Sequence, residues 1–148
     1  DTLKEVLSPL GTVRFDNVAM APGRQLGVGK LEEETTVFCL PGSPVAAMTA
    51  FEVFIRPALR QMAGYSNIHR RSINAVVDKA WESPMNTREF VRARVVGNPH
   101  EGYGVEPLGD TARPLLTALA QANCLAIVPE DQRAVQVGDT LECIILNA

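Results

Sequence analysis

The sequence predicts an α/β segment followed by a small β-rich domain. A β-branched and aromatic run at 35–40 leads through a Pro-Gly-Ser-Pro loop into a long helix with one apolar face. After a polar stretch, short alternating runs are separated by Gly, Asn and Pro turn signals. We therefore place the C-terminal part of an α/β domain at 1–64, a linker at 65–71, and a small barrel or sandwich at 72–148.

The first 64 residues alternate between helix and strand patterns. Residues 1–10 have the cap and the apolar spacing of an opening helix, and 13–20 and 25–31 are extended segments. The run 35–40 is typical of a strand that is buried on both faces, as in a parallel sheet. These segments predict an α/β layer arrangement.

The long helix has clear internal signals. Ser43 is a favoured N-cap, and Pro44 suits the first helical position because its missing N–H has no partner there. Pro57 lies inside the helix and predicts a kink. Glu52 and Arg56 have the spacing of a solvent-facing ion pair.

The β-rich part contains one cationic stripe. Arg88, Phe90, Arg92 and Arg94 alternate along a predicted strand, either as a partner-binding surface or as the exposed face of a half-buried strand. The predicted strands are 73–81, 88–96, 103–107, 124–128 and 140–146, with one helix at 115–121.

Composition limits the function classes. The chain has 46% hydrophobic and 21% charged residues and a net charge of −3, which is a globular composition without the basic excess of nucleic-acid-binding proteins. Cys39, Cys124 and Cys143 lie in apolar runs without CxxC spacing, so we expect buried reduced thiols. No apolar run approaches the roughly 20 residues that span a bilayer. We expect a cytoplasmic protein that inserts into no membrane.

Two loops are candidates for anion binding. The loop 41–44 joins a strand to a helix N-terminus, where free N–H groups favour anions and Gly42 permits close approach of a ligand. A plain tight turn with a good cap gives the same pattern. The loop 21–24 also follows a strand, and Arg24 either binds phosphate or an oxyanion through its planar fork or lies in solvent.

The order of these motifs resembles the molybdopterin molybdenumtransferase family, which includes the bacterial MoeA enzymes and the E domain of gephyrin. The most specific match is the Leu-Pro-Gly-Ser-Pro-Val segment, and the resemblance covers nearly the whole chain. The matching segments are 20–24, 38–47, 51–59, 88–94, 119–123, 125–129 and 138–139.

The resemblance implies a C-terminal fragment of a longer protein, with the end of its third domain and all of its fourth. Family members form elongated homodimers and insert molybdenum from molybdate into adenylated molybdopterin, with a divalent metal such as Mg²⁺ assisting. The residues that would hold this metal are unknown. We expect that the fragment alone catalyses nothing.

The resemblance also implies a set of site residues. Asp1 matches the aspartate that closes a glycine- and serine-rich motif and is assigned a catalytic role. The residues expected around the pterin phosphate and oxyanion pocket are Pro22, Gly23, Arg24, Pro41, Gly42, Ser43 and Pro44.

The chain departs from the family at cationic positions. Asn17 and Ala21 stand where the family usually has lysines, Arg24 replaces a further lysine, and Gln25 and Ser43 replace a proline and an asparagine. The loss of two cations would weaken the electrostatic stabilisation of an oxyanion. The departures leave two functions open.

The first function is molybdenum insertion by the intact protein. The second is a non-catalytic, gephyrin-like dimeric scaffold that binds a peptide tail or a cytoskeletal partner. Resemblance would place that partner at Phe90, Pro129 and Glu142. The surviving Arg24 and Pro-Gly-Ser-Pro loop favour the enzyme.

Overall fold

The computed structural model describes residues 2–32, 34–109 and 116–146. The helices are α1 (Thr2–Leu7), α2 (Pro44–Ala50), α3 (Arg56–Met62) and α4 (Leu116–Gln121), with a π-helical turn at Phe51–Ile55. The first strands are β1 (Gly11–Asn17), β2 (Met20–Ala21), β3 (Gln25–Leu31) and β4 (Thr35–Cys39). The others are β5 (Ser72–Val77), β6 (Trp81–Glu82), β7 (Arg88–Asn98), β8 (Gly102–Pro107), β9 (Cys124–Val128), β10 (Ala134–Val135) and β11 (Thr140–Ile145).

The first part contains an antiparallel sheet in the order β1-β3-β4. Gly27 lies between Phe15 and Cys39 in register, and a Cβ at Gly27 would come within 2.7 Å of the Phe15 ring. The prediction that β4 is buried on both faces is wrong for this chain, because only Cys39 of β4 is buried. Within the described residues β4 is an edge strand paired only to β3, so its faces are half covered.

The predicted long helix is interrupted by a π-helical turn. The Arg56 N–H donates to the carbonyl of Phe51, five residues back, and Pro57 follows without an N–H. A π turn is a known way to absorb such a local break in α-helical bonding. Pro44 is at the helix start as predicted, but the Ser43 side chain makes no capping hydrogen bond.

Glu52 and Arg56 form the predicted i,i+4 ion pair, but it does not face solvent, since the side chains of Arg56 and Glu52 are only 22% and 11% exposed. Their closest charged atoms are 4.0 Å apart, whereas Arg70 donates hydrogen bonds to Glu52 at 2.6 and 3.1 Å. Arg56 also reaches the carbonyl of Ile68 at 3.4 Å. The linker is therefore held against the helix through Arg70 and Ile68.

The second part is a closed five-stranded barrel in the order β7-β8-β5-β11-β9, closed by the pairing of β9 with β7. β5 and β8 are parallel and the other neighbours are antiparallel. Closure removes free strand edges and encloses an apolar core. That core is formed by Ala75, Val77, Val91, Ala93, Val105, Cys124, Ala126, Val128, Val135, Leu141 and Cys143.

The outer face of β7 is covered in its middle. Phe90 is 7% exposed and Arg92 is 3% exposed, so the prediction of an exposed stripe is wrong for these two residues. β2 and α4 both pack against β7, which accounts for their burial. Arg88 and Arg94 are exposed as predicted.

The two parts are joined by the parallel pairing of β2 with β7. Met20 pairs with Arg88 and Ala21 pairs with Glu89, and the Arg88 N–H donates to the carbonyl of Ala19 at 3.0 Å. This pairing fixes the loop after β2 at one end of the barrel. The predicted α/β segment followed by a small barrel is confirmed.

The remaining sequence expectations concern thiols and membranes. Cys39, Cys124 and Cys143 are buried and unpaired with each other, which confirms the expectation of buried free thiols. Among the described residues, none of the helices combines the length and the apolar character that crossing a bilayer requires.

Candidate functional site

The two predicted anion-binding loops meet in space. A Cβ at Gly23 would lie 2.7 Å from the Ala46 Cβ and 3.0 Å from the Pro41 Cγ, so the backbone of the 21–24 loop packs directly on the 41–44 loop and on α2. Gly23 has a φ of +88°, which favours glycine, and the Ala21–Pro22 peptide is cis. The close approach to Ala46 and Pro41 and the positive φ both require glycine at position 23.

A cavity of about 510 Å³ opens beside this contact, between α1, β1, β3 and the end of β4. Nothing lies within 4 Å of the position that a Cβ at Gly42 would take, so the backbone of this loop is open to a ligand. The polar and loop residues that line the cavity are Lys4, Asp16, Asn17, Gln25, Pro41 and Gly42.

Lys4 is the residue that the sequence interpretation missed. It lies on α1 and is the only cationic side chain among the described residues that line the cavity. Asp16 lines the same cavity, but the exposed Arg14 pairs with it at 2.9 Å. Lys4 therefore supplies the positive charge that Asn17 does not.

Arg24 turns away from this cavity. Its Nη2 donates to the Oγ1 of Thr87 at 3.3 Å, and Thr87, directly before β7, is 1% exposed. Arg24 thus links the loop to the barrel. Asp1 lies outside the described residues. Ser43 and Pro44, the last two residues of the 41–44 loop, are exposed.

The two lost lysine positions face different spaces. Asn17 lines the cavity, whereas Ala21 borders a separate cleft of about 650 Å³ at the mouth of the barrel. Glu89, 7% exposed, lines this cleft. Burial raises the pKa of the Glu89 carboxyl, although Ser83, Trp81 and Arg92 act to lower it.

The residues predicted to bind a partner lie around one end of β9. Phe90 and Glu142 both pair with Ile127, from opposite sides, and Pro129 follows β9. Pro129 and Glu142 are exposed, whereas Phe90 is buried. A partner-binding role of these residues stays a prediction.

No metal ligands converge in the part of the chain that the structure describes. Within 2–32, 34–109 and 116–146, no three His, Cys, Asp or Glu side chains are grouped to hold a metal ion.

Two family models match the chain. Residues 1–61 match a probable molybdopterin binding domain, and residues 74–146 match the MoeA C-terminal region, domain IV. The gap between the two matches, residues 62–73, contains the predicted linker 65–71.

Curated relatives match nearly the whole chain. Molybdopterin molybdenumtransferase 2 of Mycobacterium tuberculosis is 40% identical over 130 residues, which is 88% of this chain and 31% of the relative. Molybdopterin molybdenumtransferase 1 of the same species is 32% identical over 151 residues, which is 99% of this chain and 35% of the relative. The molybdopterin molybdenumtransferase of Staphylococcus aureus is 30% identical over 149 residues, which is 100% of this chain and 35% of the relative. The chain thus spans about a third of the length of these relatives.

Solved structures share the fold. The molybdopterin biosynthesis moeA protein of Pyrococcus horikoshii superposes with a TM-score of 0.79 at 22% identity, over 97% of this chain and 34% of that one. A molybdenum cofactor biosynthesis protein of Pyrococcus furiosus superposes with a TM-score of 0.72 at 26% identity, over 91% of this chain and 45% of that one.

Proposed function

The chain belongs to the MoeA family of molybdopterin molybdenumtransferases, and we propose that it contributes to molybdenum insertion during molybdenum cofactor biosynthesis. The main support for this proposal is the cavity that is lined by Lys4, Asn17, Pro41 and Gly42. In this proposal the cavity holds the phosphate and the oxyanion of the reactants, adenylated molybdopterin and molybdate.

The cavity has the size and chemistry that such a ligand needs. Its volume of about 510 Å³ falls in the range of small-molecule sites, roughly 300–1,000 Å³. Lys4 offers a positive charge, and the Asn17 and Gln25 amides offer N–H donors to oxyanion oxygens. The open backbone at Gly42 lets the ligand approach the loop closely.

Lys4 would stabilise the negative charge that gathers on molybdate and phosphate oxygens as the adenylate is cleaved. Lys4 is exposed, so its charge acts on the ligand through solvent and its contribution should shrink as salt is added. Arg24 takes part as a positioning residue, because its bond to Thr87 holds the 21–24 loop against the barrel. The catalytic role of Asp1 belongs to this proposal as well.

In this proposal the complete activity needs more than this chain provides. The chain spans about a third of its relatives, and Mg²⁺ ligands are not gathered in its described residues. From the family membership we propose that the intact protein acts as a homodimer in the cytoplasm. Because the chain spans only about a third of its relatives, we also propose that these 148 residues alone show no turnover.

The test uses the full natural chain in a bacterial strain that lacks its own molybdenum-insertion enzyme. A molybdenum-dependent nitrate reductase reports rescue, and a lysine-bearing family member is the positive control. We expect rescue by the natural protein and loss of rescue with Lys4→Gln. Lys30→Gln is the matched control, because Lys30 lies on β3 outside the cavity lining.

No rescue by a well-expressed, folded protein would reject the enzyme function. The gephyrin-like scaffold has no structural observation in its favour, since Phe90, which would anchor the peptide, is 7% exposed. Rescue that is equal for Lys4→Gln and the natural protein would reject the role assigned to Lys4.

A further inference from the structure

The two ends of the barrel are built differently. At the barrel mouth, where β7 begins, β6 and β10 pair with each other, and Val135 of β10 is part of the barrel core. The other end, where β7 and β11 stop and β5, β8 and β9 begin, opens into a cavity of about 500 Å³. This open end shares no lining residue with the cavity proposed for molybdenum insertion, so it is a separate candidate site.

The floor of the open end is apolar. Four half-buried side chains form it, and each occupies the next inward-facing position after a core residue of its own strand. Val105 and Cys143, directly behind the floor, are 0% exposed, so a ligand rests on the floor and does not enter the core. The floor residues are Ile73 of β5, Val95 of β7, Tyr103 of β8 and Ile145 of β11.

The rim of the open end carries two positive charges. Arg71 and Arg94 are exposed, line the cavity and form no ion pair with another described residue. Glu106 lies opposite Arg94 in register, but neither Glu106 nor any other carboxylate belongs to the described residues that line the cavity. Two cations above an apolar floor fit a ligand with an apolar body and an anionic head.

The wall between rim and floor is held in place by the protein itself. β9 begins opposite Ala93 and does not reach Val95. The Asn123 amide replaces the missing strand, because its Oδ1 accepts from the Val95 N–H at 2.8 Å and its Nδ2 donates to the Val95 carbonyl at 2.9 Å. The Ile145 N–H donates to the Arg71 carbonyl at 3.0 Å. Binding therefore needs little rearrangement, which keeps its entropic cost low.

The charges around the open end favour a monoanion. A guanidinium binds carboxylate and phosphate equally well in geometry. The chain has a net charge of −3, and Glu106 lies beside Arg94, so a dianionic phosphate meets more repulsion than a carboxylate does.

We propose that the open end of the barrel binds a small apolar carboxylate, with the carboxylate at Arg71 and Arg94 and the apolar body on the floor. This site goes beyond the insertion activity and does not depend on it, because no group of the insertion cavity takes part.

The experiment titrates the full natural chain, with carbon-13 in its isoleucine methyl groups, with phenylbutyrate and follows the methyl NMR spectrum. We expect the signals of Ile73 and Ile145 to shift and that of Ile55, on the π-helical turn, to stay in place. Phenylbutanol is the matched ligand, because it keeps the apolar body and lacks the charge. Butyrate keeps the charge and lacks the ring, and both matched ligands should bind more weakly than phenylbutyrate.

Arg71→Gln and Arg94→Gln should each weaken phenylbutyrate binding by about threefold, and the double variant by about tenfold, because exposed ion pairs are screened by water. The affinity of the natural protein should fall as salt is added. Arg133→Gln is the matched control, since Arg133 is also exposed but lies outside this cavity. Thermal melting shows that each variant is folded.

Equal affinities for phenylbutyrate and phenylbutanol, or an unchanged affinity in the double variant, would overturn the proposal. A titration that leaves the Ile73 and Ile145 signals in place would do the same. Tighter binding of phenyl phosphate would assign the open end to phosphate ligands, and tighter binding of a capped peptide with one aspartate between two leucines would assign it to a polypeptide. Either result would reject the small carboxylate. Nitrate reductase rescue does not enter this measurement, so its outcome is independent of the proposed function.

Discussion

Arg70 donates two hydrogen bonds to Glu52, at 2.6 and 3.1 Å, and thereby ties the segment between the two parts to the π-helical turn. The side chains are 19% and 11% exposed, so water screens the pair only weakly. A bidentate pair of this kind is both stronger and more directional than a single ionic contact.

Arg70→Ala is therefore expected to lower the free energy of unfolding by about 2 kcal/mol, since it leaves the Glu52 carboxylate largely buried without its main partner. Urea unfolding followed by circular dichroism measures the change. Arg88→Ala is the matched control, because Arg88 makes the same bidentate contact with Glu130 but both side chains are 54% exposed. An equal loss in the two variants would contradict the role of burial.

The sequence predicted elements whose signals are local. β9 occupies Cys124–Val128 as predicted, because it is a continuous apolar run between turns. β6 and β10 were missed, because strands of two residues show no periodicity and form only through pairing with each other. Spacing identified Arg56, four positions from Glu52, but it could not reveal the closer partner Arg70, which is 18 positions away.

The candidate site was predictable only in part for the same reason. Loop chemistry pointed to Pro41 and Gly42, which line the cavity. Lys4 was missed because its side chain reaches the cavity only through the packing of α1 against β1. The bond from Arg24 to Thr87 spans 63 positions and depends on the pairing of β2 with β7.

The two loop glycines should respond differently to an added methyl group. Gly23→Ala places a Cβ 2.7 Å from the Ala46 Cβ at a φ of +88°, so we expect a loss of about 2 kcal/mol in the free energy of unfolding. Gly42→Ala meets no atom within 4 Å and should keep its stability. Thermal melting of the two variants, side by side, measures the difference.

Gly42→Ala also tests the cavity. A methyl group there projects into the space where the proposed ligand approaches the backbone, so affinity for adenylated molybdopterin should fall about tenfold while the melting temperature is unchanged. Calorimetric titration measures the affinity. Unchanged affinity would mean that the ligand does not contact the loop at Gly42.

Restoring a cation in the cavity should strengthen oxyanion binding. Asn17 lines the cavity with Lys4, so Asn17→Lys adds a second positive charge there, whereas Ala21→Lys adds it at the barrel mouth. We expect Asn17→Lys to increase affinity for molybdate by about tenfold at low ionic strength, with the gain shrinking in salt. Equal gains from both variants would show that the effect comes from net charge rather than from position.

The barrel mouth predicts a specific dependence of stability on pH. Burial raises the pKa of Glu89 above its ordinary value of 4.5, and Ser83, Trp81 and Arg92 oppose this only partly. Below pH 4.5 the carboxyl is protonated in both the folded and the unfolded chain. Between 4.5 and the raised value, the folded protein keeps a proton that the unfolded chain has released, so the stability contributed by this group falls as pH rises.

Glu89→Gln has no proton to release and should therefore gain stability relative to the natural protein as pH rises from 4.5, until the natural carboxyl is ionised in both states and the difference becomes constant. Urea unfolding of both proteins at intervals from pH 4 to pH 8 measures this difference. Glu106→Gln, which removes an exposed carboxyl on β8, is the control for the loss of one negative charge. A natural protein that instead gains stability over Glu89→Gln with rising pH would mean that the stabilisation of the carboxylate by Ser83, Trp81 and Arg92 outweighs burial.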